Sequence, residues 1–376
     1  ANASVAIPVA GKGGIPLSGA AAALVTLHVV TPAKAGGLQV YRPDQPRPSS
    51  PTVLQFAAKQ TTSNVVLAPI SGGNIEVHNS SAGATTLVVD IDGYVPATAV
   101  GTPTTKGTAR YVRNIVDGGV GDQATMTAEG QADAANGNAF VLLHIGAQST
   151  DKAGVVLSAT EKKLTYPQLV TALQAYRTGF AAGGHTGRIA VATNNSGDNW
   201  SAYTGADRGT DWATKVIQPL RTGAPAGVDV IGAADFEAGF ASTEPQAESW
   251  KNQFLANMPG SNEALVFIGS ADFCAKTWTA GSACNFGWTY QKLYGLAGGA
   301  RTLALPQVYF GYMATEWAEI NATGGGQLHF LGALTEFASD TGTLEPVQGF
   351  TALSRAVSSI TATPIDSMVA DLRIDA

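Results

Sequence analysis

The stretch Val228-Asp229-Val230-Ile231-Gly232-Ala233-Ala234-Asp235-Phe236-Glu237 decides the fold. Its middle is an almost unbroken apolar run that stops on two carboxylates. A strand apolar on both sides is buried on both faces, as in a parallel sheet covered by helices. The strand is read as Val228–Ala233, and its texture recurs at Arg110–Val116, Phe140–Gly146, Arg188–Thr193, Ala264–Gly269, Thr302–Tyr309, Gln327–Thr335 and Met368–Ile374. Helical patterns separate the runs: Met126–Asn136, Tyr166–Ala181, Thr210–Arg221, Glu244–Asn257, Thr289–Leu296, Ala314–Ala322 and Val347–Ile360. Asp211-Trp212 reads as a helix start. Eight strands and seven helices predict an α/β fold, a TIM-type (β/α)8 barrel over 108–376. No Gly-rich phosphate or dinucleotide loop follows the first strand, which disfavours an open doubly wound sheet.

Residues 1–95 have a different texture. Short β-type runs at Leu24–Val30, Gly37–Tyr41, Val53–Phe56, Asn64–Pro69, Asn74–His78 and Thr86–Ile91 are separated by turn formers such as Asp44-Gln45-Pro46 and Ser71-Gly72-Gly73. That spacing predicts a small antiparallel β-sandwich. Pro96–Gly107 has the Pro/Thr/Gly composition of an interdomain linker.

Only 13% of the 376 residues are charged and the net charge is −6, with no Lys/Arg cluster. This argues against a nucleic-acid partner and disfavours a polyanionic substrate. No apolar run reaches the length of a membrane span. The two cysteines, Cys274 and Cys284, close a short loop and favour a disulfide over a metal site. The chain opens Ala1-Asn2-Ala3-Ser4, small residues of the kind left at a mature end, so a secreted, extracellular protein is expected.

A barrel carries its chemistry where strands run into the following loops. Reading those ends gives Asp117, His144, Gln148, Asn194, Asn195, Asp235, Glu237, Asp272, Gln307, Tyr309, Glu336, Asp371 and Arg373. A charge-poor chain has placed carboxylates at most of its strand ends. Asp235 and Glu237 are two apart, so both face one side of the strand, and like charges held close keep one acid protonated. Glu336 ends another strand across the ring, and two carboxylates flanking a glycosidic bond perform its hydrolysis. Their structural alternatives are helix capping for Asp235 and Glu237, and a salt bridge to Arg373 or Arg113 for Glu336. His144 reads as a core histidine. Trp200, Trp278, Trp288, Tyr309, Tyr312 and Trp317 fall in or near loops where aromatic faces could stack on sugars.

The barrel resembles those of glycoside hydrolases, with acids at the ends of strands four and seven as in the large retaining glycosidase clan. That clan has Asn before the strand-four acid, where this chain has Phe236. Asp235-x-Glu237 is similar to lysozyme-like and chitinase-like barrels, although Gly232, Ala233 and Ala234 replace the spaced aspartates of chitinases. Both halves resemble a family of secreted actinobacterial proteins with an N-terminal β-sandwich module. The segments that carry this are Val88-Val89-Asp90-Ile91-Asp92-Gly93-Tyr94, Gly269-Ser270-Ala271-Asp272, Leu305-Pro306-Gln307-Val308-Tyr309 and Ala333-Leu334-Thr335-Glu336.

The expectation is hydrolysis of a neutral or weakly charged polysaccharide, such as a cell-wall glycan, without an organic cofactor or metal. Glu237 is the expected general acid/base, Glu336 the second carboxylate and Asp235 the group that tunes Glu237. Asn194, Asn195, Gln307, Tyr309, Asp272 and Trp288 are expected to position the sugar. The alternatives are a non-catalytic glycan-binding or cell-surface barrel, and a peptidoglycan hydrolase using Asp235 and Glu237 alone.

Overall fold

The structure is a computed structural model that describes residues 2–17, 20–43, 47, 52–96, 103–160, 162–197, 199–260, 262–275, 279–361, 363 and 365–374. The chain divides into two compact units, Ala1–Ala99 and Val100–Ala376.

The first unit contains β1 (Ala3–Pro8), β2 (Ala20–Val30), β3 (Gly36–Tyr41), β4 (Leu54–Phe56), β5 (Thr62–Pro69), β6 (Asn74–Asn79) and β7 (Thr86–Pro96). They form two antiparallel sheets, ordered β1-β6-β3-β4 and β5-β2-β7. On β2 the side chains of Ala23, Val25, Leu27 and Val29 are buried while Leu24 is exposed, the period-two pattern of a strand with one face inward. Those side chains share one core with Leu38, Ile75 and Val77 of the other sheet, so the unit is a sandwich. Ala3 and Ser4, read as a processed end, belong to β1 and pair with Asn79 and His78. The expected turn Asp44-Gln45-Pro46 and residues 97–102 of the expected linker lie outside the described residues.

The second unit runs β8 (Thr105–Tyr111), α1 (Val120–Ala135), β9 (Phe140–Gln148), β10 (Gly154–Leu157), β11 (Lys163–Thr165), α2 (Tyr166–Phe180) and β12 (Gly187–Asn194). It continues through α3 (Gly205–Asp211), a π-helical segment Trp212–Ile217, α4 (Gln218–Arg221), β13 (Val228–Asp235), α5 (Glu244–Asn257) and β14 (Leu265–Phe267). It ends with α6 (Tyr290–Ala297), β15 (Thr302–Ala304), α7 (Gly311–Thr323), β16 (Phe330–Thr335), α8 (Pro346–Ile360) and β17 (Ile365–Ile374). Strands β8, β9 and β12 to β17 pair in parallel, and β17 returns to pair with β8, which also pairs with β9. The ring is a closed eight-stranded α/β barrel, as the apolar runs predicted.

Three local readings change. The first barrel strand lies at Thr105–Tyr111 rather than Arg110–Val116 and starts inside the expected linker, because its buried positions include Gly107, Thr108 and Ala109 rather than large aliphatics. Arg110 is buried there by reaching Asp133 of α1, at 2.6 Å. The hairpin β10–β11, pairing antiparallel beside β9, was not anticipated. The third helix starts at Gly205 behind an N-cap Thr204, so Asp211-Trp212 lies within helical structure.

Alternation along the strands divides the barrel's interior from its outer layer. Phe140, Leu142, Ala190, Ala192, Ile231, Ala233, Leu303, Leu305 and Leu334 fill the interior. Their neighbours Val141, Leu143, Val191, Val230, Leu265 and Phe267 pack outward among the helices. Carried beyond this core, the inward period of two falls on Tyr111, His144, Asp235, Glu237, Gln307 and Glu336. Cys274 and Cys284 form the expected disulfide. Among the described residues, no helix is long and apolar enough to cross a membrane.

Candidate active site at the barrel mouth

Asp235 is the last residue of β13 and is only 4% exposed. Both carboxylate oxygens are engaged. Gln307 Nε2 donates to Oδ1 at 2.9 Å, and His144 Nε2 lies 2.7 Å from Oδ2. The Oγ of Ser158 sits 3.3 Å from His144 Nδ1, and Tyr111 meets the His144 ring edge-on at 4.6 Å between centroids. A carboxylate on Oδ2 requires His144 to carry its hydrogen on Nε2.

Gln307 also donates through Nε2 to Glu237 Oε1 at 2.7 Å and to Ile268 O at 2.9 Å. The two hydrogens of one amide nitrogen are thus shared among Asp235, Glu237 and the β14 end. Burial, and then the neighbouring Asp235 charge, push the Glu237 carboxyl up to about 8. Desolvation and a like charge both favour the neutral acid. The Glu237 backbone is clamped by Asn195, whose Oδ1 accepts from Glu237 N at 3.0 Å and whose Nδ2 donates to Glu237 O at 3.0 Å.

Glu336 follows β16 and is half-buried. Among the described residues, no hydrogen bond or ion pair engages its carboxylate. Burial, then Asp340, Asp272 and Asp371, hold it above the usual glutamate range. Tyr111 and Tyr309 lie within electrostatic reach of all three acids. Both phenols are raised first by burial, and each also feels the charges of Asp235, Glu237 and Glu336.

A cleft of about 560 Å³ opens beside Asp235, walled by Tyr111, Arg113, His144, Asn194 and the hairpin residues Ser158 to Thr160. Its shape depends on a bulge in β9. Ala192 pairs with His144 but Thr193 with Gly146, leaving Ile145 extra. Gly146 has φ +133, and a Cβ there would lie 2.3 Å from Val156 O, so only glycine lets the hairpin close up against the strand end.

Several expected sugar contacts are corrected. Trp288 is fully buried and donates through Nε1 to Ser242 O at 3.1 Å, so it is a core side chain. Asn195 is also fully buried and serves the Glu237 backbone. Trp200 is buried against Phe236 and Arg208, and Trp317 against Phe267. Gln148 is buried in a knot with Tyr166, the Arg208 carbonyl and Trp250. Asp117 accepts from Gly119 N at the start of α1, and Asp371 accepts from Thr335 and Ala338 N, so both order loops. Trp278 lies outside the described residues.

Asn194 lines the cleft, with Oδ1 accepting from Ser196 N and Oγ. Asp272 is exposed and accepts from Tyr312 Oη at 3.1 Å. Tyr312 stacks on Phe310 at 5.9 Å, and both rings are exposed, making an aromatic surface beyond β15. His144, read as a core histidine, is the group that binds Asp235. Tyr111 and Phe310 were not anticipated. The inward register of Phe140 and Leu142 was the signal for His144.

No family model matches the chain, and no curated protein matches it. Solved glycoside hydrolases are similar in structure. One is the GH26-CBM35 beta-(1,4)-mannanase of Podospora anserina, at 13% identity and a TM-score of 0.44, covering 98% of this chain and 83% of that one. A calcium binding mutant of Bacteroides uniformis beta-glucuronidase 2 is similar at 11% identity and a TM-score of 0.33, covering 95% of this chain and 43% of that one. The same enzyme covalently bound to cyclophellitol-6-carboxylate aziridine is similar at 10% identity and a TM-score of 0.32, covering 94% and 42%. The chain thus spans less than half the length of the glucuronidase.

Proposed function

We propose that this protein hydrolyses glycosidic bonds in a neutral or weakly charged polysaccharide outside the cell, with Glu237 as general acid/base and Glu336 as nucleophile or second base. The observation that carries this reading is the Glu237 carboxyl, joined to Asp235 through the one Gln307 amide, where burial and the Asp235 charge push it up to about 8. A glycosidic oxygen needs an acid that still holds its proton at the working pH, opposite a carboxylate free to act on the anomeric carbon or a water. Gln307 donates to Glu237 Oε1, which assigns the transferable proton to Oε2. As the bond from the anomeric carbon to the leaving oxygen breaks, that proton moves to the leaving oxygen. Glu336 then either bonds to the anomeric carbon and is displaced by water, or takes a proton from the water that attacks that carbon, so the sugar leaves with a new hydroxyl. Asp235, fixed on both oxygens, supplies the charge that keeps Glu237 protonated beforehand.

In this reading Asn194, Tyr309 and Asp272 hold sugar hydroxyls, and Phe310 with Tyr312 offers a stacking face. The occupied oxygens of Asp235 disfavour the alternative in which Asp235 and Glu237 act without Glu336. The disulfide supports an extracellular setting. The test is a polysaccharide panel assayed for new reducing ends with the wild type, Glu237→Gln and Glu336→Gln. Each variant should lose about 100-fold or more of turnover on the substrate the wild type cleaves. Undiminished turnover in both variants overturns the proposal.

A further inference from the structure

The cleft beside Asp235 contains two charged side chains of opposite sign, and their situations differ. The Asp235 carboxylate is fully engaged by His144 and Gln307. The Arg113 guanidinium has no ion pair and no hydrogen bond among the described residues, and its buried Nε has no partner. It lies over the Tyr111 ring, 4.9 Å from the centroid. Stacking on an aromatic face fixes the guanidinium plane and leaves its in-plane donors for another group. A desolvated donor without an acceptor is costly, so the site is complete only when an acceptor arrives.

The surrounding wall suits a sugar acid. Ser158, Thr160 and Ser196 place hydroxyls around the cleft, and the hairpin turn between them holds Ala159 at φ +56, a left-handed conformation uncommon for a residue with a Cβ. Apart from the engaged Asp235, no carboxylate among the described residues lines this cleft. The rest of the mouth, with Glu336, Asp272, Asp340 and Asp371, repels anions.

We propose that the cleft is a subsite for a carboxylate-bearing sugar unit, with Arg113 binding the carboxylate through paired N–H donors. The substrate class is then a sparsely uronylated glycan rather than a polyanion, because one subsite accepts negative charge and its surroundings reject it. The inference rests on the glycosidase reading for the direction in which the glycan runs, but its test is binding.

The experiment is affinity electrophoresis of the full chain carrying Glu237→Gln. The gels contain glucuronoxylan, gum arabic, hyaluronan or polygalacturonate, each run beside the same polymer with its carboxyls reduced to alcohols. At least one sparsely charged polymer should retard the protein, and its reduced form should bind about tenfold more weakly or worse. Adding Arg113→Leu should erase that difference, while Arg113→Lys, which keeps the charge without the fork, should restore part of it. Equal retardation by acidic and reduced forms, a difference that survives Arg113→Leu, or no retardation by any acidic polymer overturns the inference. If the wild type cleaves nothing yet the Arg113-dependent preference is seen, the glycosidase reading fails and the subsite stands.

Discussion

Replacing Glu237 with Gln should make the barrel harder to unfold at neutral pH while it abolishes turnover. The carboxyl would ionise near 4.5 in an unfolded chain, but burial and the Asp235 charge push it up to about 8 in the fold. Between those pH values the native state holds a proton that the unfolded state has released, so stability falls as pH rises. Each pH unit in that window costs about 1.4 kcal/mol, so the loss reaches about 3 kcal/mol by pH 7. Glutamine presents the same acceptor to Gln307 Nε2 and never ionises, so the variant escapes this loss. The stability gap between variant and wild type should be near zero at pH 4.5, grow through pH 7 and level off above pH 8. Urea unfolding followed by tryptophan fluorescence measures it, because all six tryptophans lie beyond residue 99 and report on the barrel unit. A gap of constant size across that pH range, or a variant less stable than wild type at pH 7, refutes the reasoning.

The pH profile of kcat/KM should rise as the raised Glu336 carboxyl ionises and fall near pH 8 as Glu237 loses its proton. Asp235→Asn should move the falling limb to lower pH, and an unmoved limb would remove Asp235 from the tuning role. Trp288→Phe should cost about 1–3 kcal/mol through the lost bond to Ser242 O, with unchanged KM. A higher KM at full stability would return Trp288 to the sugar site.

The barrel was legible because its strands are buried on both faces and its helices keep a separate period. The predicted bounds of Glu244–Asn257 coincide with α5 for that reason. The first strand was displaced because its buried positions before Arg110 are Gly107, Thr108 and Ala109, small or polar residues that read as linker. The β10–β11 hairpin escaped because its strands are three and four residues long, too short to show a period.

In the site, Asp235, Glu237, Gln307 and Glu336 could be read from strand ends, since a period of two continues past the core. The register of Phe140 and Leu142 aims His144 inward, but its tie to Asp235 was not legible, because that partner stands 91 residues away. The tryptophans misled for a related physical reason. An indole in a loop is as ready to fill a gap behind a strand end as to face solvent, and Trp288 does the former.

The pairing of β17 with β8 has a consequence for how the chain is made. Residues 365–374 supply the neighbour that Thr105–Tyr111 needs on one side. A ribosome releasing this chain therefore holds an open, curved sheet with two unsatisfied edges until almost the last stave has emerged. Such edges invite pairing with other chains. The acids of the mouth take their places around one rim only after that late closure.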